Sequence, residues 1–227
     1  IMRINLSIPV KRYFRLKNTA EIFKSFPDTF PRIMERQGYF PRFFYGGSLS
    51  WHRLYNVLPK LGYRQIFGES AIKNVSKNRF GAHDGDLYEL VHKKLMQAKQ
   101  PTFNFIMTLS NHPPYGVPKS FISPITFENA PQKLKNKILD KDNFNERMRA
   151  LAYADQALGN YMQKAQESPY FKETLFILTS DHSHDMNLKW EAEEFYQLKK
   201  IPLIFYSPNL LKITSTTYAN QGSHLDL

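Results

Sequence analysis

The sequence contains no cysteine. Disulfide frameworks, thiolate zinc sites and cysteine nucleophiles are therefore excluded. It has no apolar run of about 18 residues, the length a bilayer-spanning helix requires. Its opening, IMRINLSIPVKRYFRLKN, lacks the long apolar centre and small-residue cleavage site of a secretory signal, and it does not begin with Met. The chain is therefore expected to be part of something longer. Internal repeats and low-complexity linkers are absent too. Acidic residues are in short supply, 20 against 31 Lys and Arg, for a formal net charge of +11. That imbalance suits anionic partners such as nucleic acid, lipid headgroups or phosphorylated substrates, or equally a plain solvated basic surface. Lys11, Arg12, Arg15 and Lys17 read most simply as such a surface, and no basic segment interleaved with aromatics marks a nucleic-acid reader.

What is present is enough to build a core. At 227 residues and 42% hydrophobic content the chain suits one large domain or two small ones, and its mixed charge argues against disorder. Short apolar runs alternate with segments of helical period. Phe40–Tyr45 (FPRFFY) ends at Gly46-Gly47. Phe103–Leu109 (FNFIMTL) ends at Ser110-Asn111-His112, and Thr174–Thr179 (TLFILT) at Ser180-Asp181-His182. These three read as buried parallel strands. Ile201–Tyr206 (IPLIFY) carries Pro202 near its start, the mark of an edge strand or a strand start. Helices are expected over Phe30–Gln37, closed by Gly38; over Trp51–Leu61, closed by Gly62 unless Pro59 ends it sooner; and over Asp86–Gln97, capped by Asp84 or Asp86. Phe144–Gln166 is the clearest, with Leu151, Ala154, Leu158, Tyr161, Met162 and Ala165 on one stripe. The alternation predicts an α/β fold with a largely parallel sheet, whose chemistry gathers at the carboxyl ends of its strands.

That rule collects the candidate residues. Asp181 and His182 offer a carboxylate oxygen and an imidazole nitrogen, a pair suited to a divalent ion if the backbone turns at the strand end. The same residues also fit a helix-capping Asp followed by a surface His. His184 and Asp185 extend the motif or face solvent. In TLSNHPPYG, His112 precedes a Pro-Pro pair that stiffens its loop, so it either faces a ligand or stands in a partly exposed turn. In FYGGSLSWHR, Gly-Gly permits close backbone approach, Arg53 can clamp a phosphate or sulfate and Trp51 can wall a pocket, or Trp51 is a core residue at a helix start. His83 and His224 belong to a turn or helix start.

Taken in order, FFYGGSLSWHR, FIMTLSNHPPY, LAYADQALGNYMQKA, LFILTSDHSHD, IPLIFYSP and SHLDL resemble the extracytoplasmic catalytic domain of the lipoteichoic acid synthase and phosphoglycerol transferase family. That family is a sulfatase-like branch of the alkaline phosphatase superfamily, and the resemblance runs from about Leu6 to Leu227. It implies an alkaline phosphatase-like α/β sandwich with a largely parallel central sheet flanked by helices, this chain (residues 1–227) being one partial domain. It implies metal-dependent transfer of phosphoglycerol from phosphatidylglycerol, or hydrolysis of related esters, through a covalent Thr intermediate. One divalent ion is expected, Mn²⁺ first, with Mg²⁺ or Zn²⁺ as alternatives, and Asp181 and His182 among its ligands. Trp51, Arg53 and His112 match the substrate pocket. The nucleophilic Thr and a Glu ligand are expected ahead of Ile1, and membrane helices before them. Thr19 lies in a Lys-rich segment and Thr179 ends a strand, so neither replaces that Thr, and no catalytic residue is assigned within the chain; it is expected to be inactive alone. The tail SHLDL matches a point where the family continues. An anionic phospholipid or phosphate-ester substrate, no nucleic acid, and a place on the outer side of a bacterial cytoplasmic membrane follow from the same resemblance. A sulfatase or phosphoethanolamine transferase of the same superfamily, or a non-catalytic anion-binding piece, are the alternatives.

Overall fold

The computed structural model describes residues 28–73, 77–78, 80–209, 217 and 222. Leu6–Pro9, Lys11, Arg12, Arg15, Lys17, Thr19 and His224 lie outside the described residues. The strands are β1 (Phe40–Tyr45), β2 (Gln65–Phe67), β3 (Lys77–Asn78), β4 (Gly81–Ala82), β5 (Thr102–Met107), β6 (Phe176–Thr179) and β7 (Leu203–Tyr206). The α-helices are α1 (Phe30–Arg36), α2 (Leu54–Leu61), α3 (Asp84–Met96), α4 (Gln132–Lys135) and α5 (Lys141–Gln166). Among the described residues they fall into two compact units: residues 28–73 and 97–107 belong to the first, and residues 77–78, 80–96 and 108–209 to the second.

The first unit is built on a parallel sheet of order β2-β1-β5. The central strand β1 is the apolar run FPRFFY, and Phe43 and Phe44 within it are fully buried. Phe43 stacks on Phe105 of β5 at 5.5 Å and meets Tyr63 edge-on at 5.2 Å, while Phe44 stacks on Phe67 of β2 at 4.8 Å. Helix α1 carries Pro31 in its first turn and closes at Gly38, whose φ of 87° is the left-handed value expected of a closing glycine. In α2 the buried side chains are Leu54, Val57, Leu58 and Leu61, the spacing of one helical face. Pro59 sits inside α2 without ending it; Gly62 does so, at φ 103°. The Leu61 carbonyl, left open by the end of the helix, accepts the Thr29 hydroxyl at 2.5 Å.

The second unit packs α3 against α5. Leu87 and Val91 of α3 are buried, and Tyr88 stacks on Tyr161 at 4.9 Å. Asp140 caps α5 by accepting the N–H of Asn143 at 2.7 Å, which starts the helix three residues before the expected Phe144. The buried face of α5 is Phe144, Ala150, Ala157, Tyr161 and Ala165, so the stripe is turned from the expected one and Leu151 is exposed. Tyr161 and Ala165 of the expected stripe are among the buried residues, and Phe144, Ala150 and Ala157 complete the inward face. Strand β6 pairs antiparallel with β7, and β3 with β4. The expected parallel neighbour of β6 is thus not seen among the described residues, and Ile177 and all of β7 are exposed. An apolar run marks a strand but carries no information on its partner's direction. As its proline predicted, β7 begins directly after Pro202.

Candidate functional site

In the first unit the turn after β1 carries Trp51 and Arg53. Gly47 is required there, because a Cβ would lie 2.6 Å from the ring of Tyr45. Tyr45 in turn lies 6.1 Å, centroid to centroid, from Trp51. Trp51 is exposed rather than a core residue. Trp51–Arg53 forms a single 3₁₀ turn in which His52 (φ 47°) and Arg53 (φ 55°) are both left-handed. Each such non-glycine residue costs on the order of 1–2 kcal/mol. Backbone strain held at adjacent positions is characteristic of sites whose side chains must point in a set direction. The side chain so placed is Arg53, which is exposed and has no carboxylate partner among the described residues.

In the second unit two loops carry the other candidates. The loop after β5 is fixed from beneath by Asp84, which is almost fully buried. Its Oδ1 accepts the N–H groups of Leu109 (2.8 Å) and Ser110 (2.9 Å), and the Ser110 hydroxyl accepts the Asp84 N–H at 3.0 Å. Those bonds explain why β5 ends at Met107 rather than at Leu109. Asp84 therefore grips a loop instead of capping α3, and burial raises its pKa against the pull of those bonds. His112 stands exposed on this loop, edge-on to Phe80 at 5.8 Å. Its Nδ1–H donates to the Pro113 carbonyl at 2.7 Å, which leaves Nε2 pointing away from its own backbone. The Pro113–Pro114 bond is cis and Tyr115 is left-handed at φ 57°.

The second loop follows β6. Asp181 Oδ1 accepts the N–H of His182 at 2.9 Å, leaving Oδ2 open. His182 Nδ1–H donates to the Ser183 carbonyl at 2.7 Å, leaving Nε2 open. A backbone carbonyl on Nδ1 is the usual way of presenting Nε2 to a metal. The two open atoms lie 3.7 Å apart, a span that one ion with bonds of about 2.0–2.2 Å can bridge. Both side chains are exposed, at 71% and 68%. The pair fits two positions of a metal site, and no group of three or more such side chains gathers among the described residues. Trp51 and Arg53 thus lie in the first unit, and His112, Asp181 and His182 in the second.

His184 and Asp185 turn away from this pair to Arg147 of α5, whose Nη1 donates to His184 Nδ1 at 2.5 Å and to Asp185 Oδ1 at 3.2 Å. The Asn187 N–H, with His184 and Arg147 beside it, holds the Asp185 carboxyl below its ordinary pKa. Sequence reasoning missed Arg147, and nothing short-range could have found it, since His184 is 37 residues away. Asp84 was seen, but as a helix cap.

The sequence profile described as Sulfatase matches residues 7–227, and the chain belongs to that family. Phosphoglycerol transferase I of Escherichia coli (strain SMS-3-5 / SECEC) is 25% identical over 195 residues, covering 81% of this chain and 24% of that protein. The chain thus spans about a quarter of the length of the curated relatives it matches. Among solved structures, a protein in the alkaline phosphatase superfamily from Vibrio parahaemolyticus superposes with a TM-score of 0.60 at 26% identity, over 79% of this chain and 41% of that one. The lipoteichoic acid synthase LtaP from Listeria monocytogenes does so with a TM-score of 0.67 at 18% identity, over 82% and 47%. Streptococcus pyogenes phosphoglycerol transferase GacH, solved in complex with sn-glycerol-1-phosphate, gives 0.56 at 16% identity, over 90% and 53%. The fold is that of the alkaline phosphatase superfamily, and the relatives' names are those of phosphoester transferases. Among the described residues no helix is long and apolar enough to cross a membrane.

Proposed function

We propose that this chain carries the ion-holding and phosphate-holding side chains of a metal-dependent phosphoglycerol transferase with a phosphatidylglycerol-type donor. The observation that carries the reading is the Asp181–His182 pair: one open carboxylate oxygen and one open imidazole nitrogen, 3.7 Å apart, just beyond the end of β6. Asp181 and His182 hold the divalent ion, Mn²⁺ first. When bound, that ion offsets charge building up on phosphoryl oxygens. Arg53 grips a phosphate through its two-pronged guanidinium, Trp51 walls the glycerol side, and His112 turns Nε2 to the phosphate or glycerol oxygens. None of these is assigned as the nucleophile. The net charge of +11 suits work on an anionic lipid at a membrane surface, and the extracytoplasmic side of a bacterial membrane is the proposed location.

The test is binding of sn-glycerol-1-phosphate to the full chain in the presence of Mn²⁺, measured calorimetrically. R53A is expected to weaken binding at least tenfold, about 1.4 kcal/mol, with R53K recovering only part of it. Equal affinity of wild type and R53A would contradict the assignment. A parallel titration with inorganic sulfate separates the phosphoglycerol reading from a sulfatase one, for which sulfate would bind more tightly than sn-glycerol-1-phosphate.

A further inference from the structure

Arg147 lies between the two loops of the second unit and contacts both. Its Nε–H donates to Asn143 Oδ1 at 2.6 Å, one helical turn earlier on α5, which fixes the guanidinium plane. The edge of that plane donates through Nη1 to His184 Nδ1 at 2.5 Å and Asp185 Oδ1 at 3.2 Å. Its central carbon lies over the ring of Tyr115, 5.3 Å from the centroid. The side chain is only 13% exposed. Tyr115 follows His112 in one loop; His184 and Asp185 follow His182 in the other. Each loop is bent through left-handed non-glycine residues at or near the contact: Tyr115 at φ 57°, and Met186 and Asn187 at φ 56°. Such conformations are costly for residues with a Cβ and persist only where surrounding contacts over-determine them. The Tyr115 hydroxyl is buried with no hydrogen-bond partner among the described residues, so the ring face against Arg147 is what ties that side chain down.

We propose that Arg147 is a positioning residue that braces the His112 loop and the Asp181–His182 loop against one helix. The proposal rests on the functional reading above only in taking those loops as the working parts of this unit. A planar guanidinium can donate along its edge and stack on its face at once; an ammonium cannot. The brace therefore has an asymmetric signature. Lysine at 147 can still reach His184 and Asp185, but it has no flat face for Tyr115.

Hydrogen–deuterium exchange of the metal-free full chain tests this, comparing wild type, R147M and R147K. In R147M, amides of residues 109–116 and 181–187 are expected to exchange at least roughly tenfold faster together, while residues 150–165 of α5 stay protected. The ¹⁵Nδ1 resonance of His184 should move in the same variant, because it loses the nearer of its two donors and keeps only the Met186 N–H at 3.2 Å. R147K is expected to restore residues 181–187 and leave residues 109–116 fast. Acceleration of one loop alone, acceleration spreading through α5, or equal rescue of both loops by lysine would overturn the proposal. A wild-type chain that binds no Mn²⁺ contradicts the metal assignment instead, and the exchange comparison still decides the brace.

Discussion

Asp84 and Ser110 bind each other twice: the Asp84 carboxylate accepts the Ser110 N–H at 2.9 Å, and the Ser110 hydroxyl accepts the Asp84 N–H at 3.0 Å. This exchange, with the bond from Leu109, sets where β5 stops and where the His112 loop starts. D84A leaves two buried N–H groups without an acceptor and should destabilise the chain by about 2–4 kcal/mol. D84N, which keeps one acceptor oxygen, should cost less. Urea unfolding of the two variants measures both; a loss within experimental error for D84A would refute the clamp.

The same carboxyl predicts a pH dependence. Burial raises its pKa in the folded chain above the ordinary value of 3.8. The folded state then holds a proton that the unfolded state has already released. The contribution of Asp84 to stability is therefore full below that ordinary value and falls as pH rises through the raised one. The difference in unfolding free energy between wild type and D84N should shrink across that window. A difference that grows with pH would have the wrong sign.

Glu128 is the opposite case. Its side chain meets Lys141 Nζ at 2.6 Å in full view of solvent, and that bond draws its pKa down from 4.5 to about 2. Its contribution is present above 4.5 and lost as pH falls toward about 2. An NMR titration of the Glu128 carboxyl should return toward the ordinary value in K141M, and in wild type at high salt, since exposed pairs are screened.

The backbone at His52 gives a stability test. With φ at 47°, a residue lacking Cβ relieves the strain, offset by the entropy glycine loses on folding. H52G is expected to be neutral or stabilising by about 0.5 kcal/mol, and H52V destabilising by about 1 kcal/mol or more. Thermal unfolding distinguishes them; H52V as stable as wild type would mean that the turn carries no strain.

Much of this was legible in the sequence. Apolar runs ending at polar or glycine residues located β1, β5, β6 and β7, and glycines at 38 and 62 marked two helix ends that the structure closes with positive φ. The motif matches pointed to a sulfatase-like chain, which the family match bears out. Local pattern could not report what depends on distant partners. The antiparallel pairing of β6 with β7 is one such case. The turned stripe of α5, where alanines face inward and Leu151 faces out, is another. Arg147 reads as one more basic residue in a chain rich in them until the fold brings Tyr115, His184 and Asp185 to it.

The central claim is that Asp181 and His182 share one divalent ion, and a Mn²⁺ titration of the full chain followed by electron paramagnetic resonance and calorimetry tests it most directly. Wild type should bind one ion, and D181A and H182A should each weaken that binding at least tenfold, about 1.4 kcal/mol, with little change in unfolding, because both side chains are exposed. Mn²⁺ binding of undiminished affinity in both variants would contradict the account.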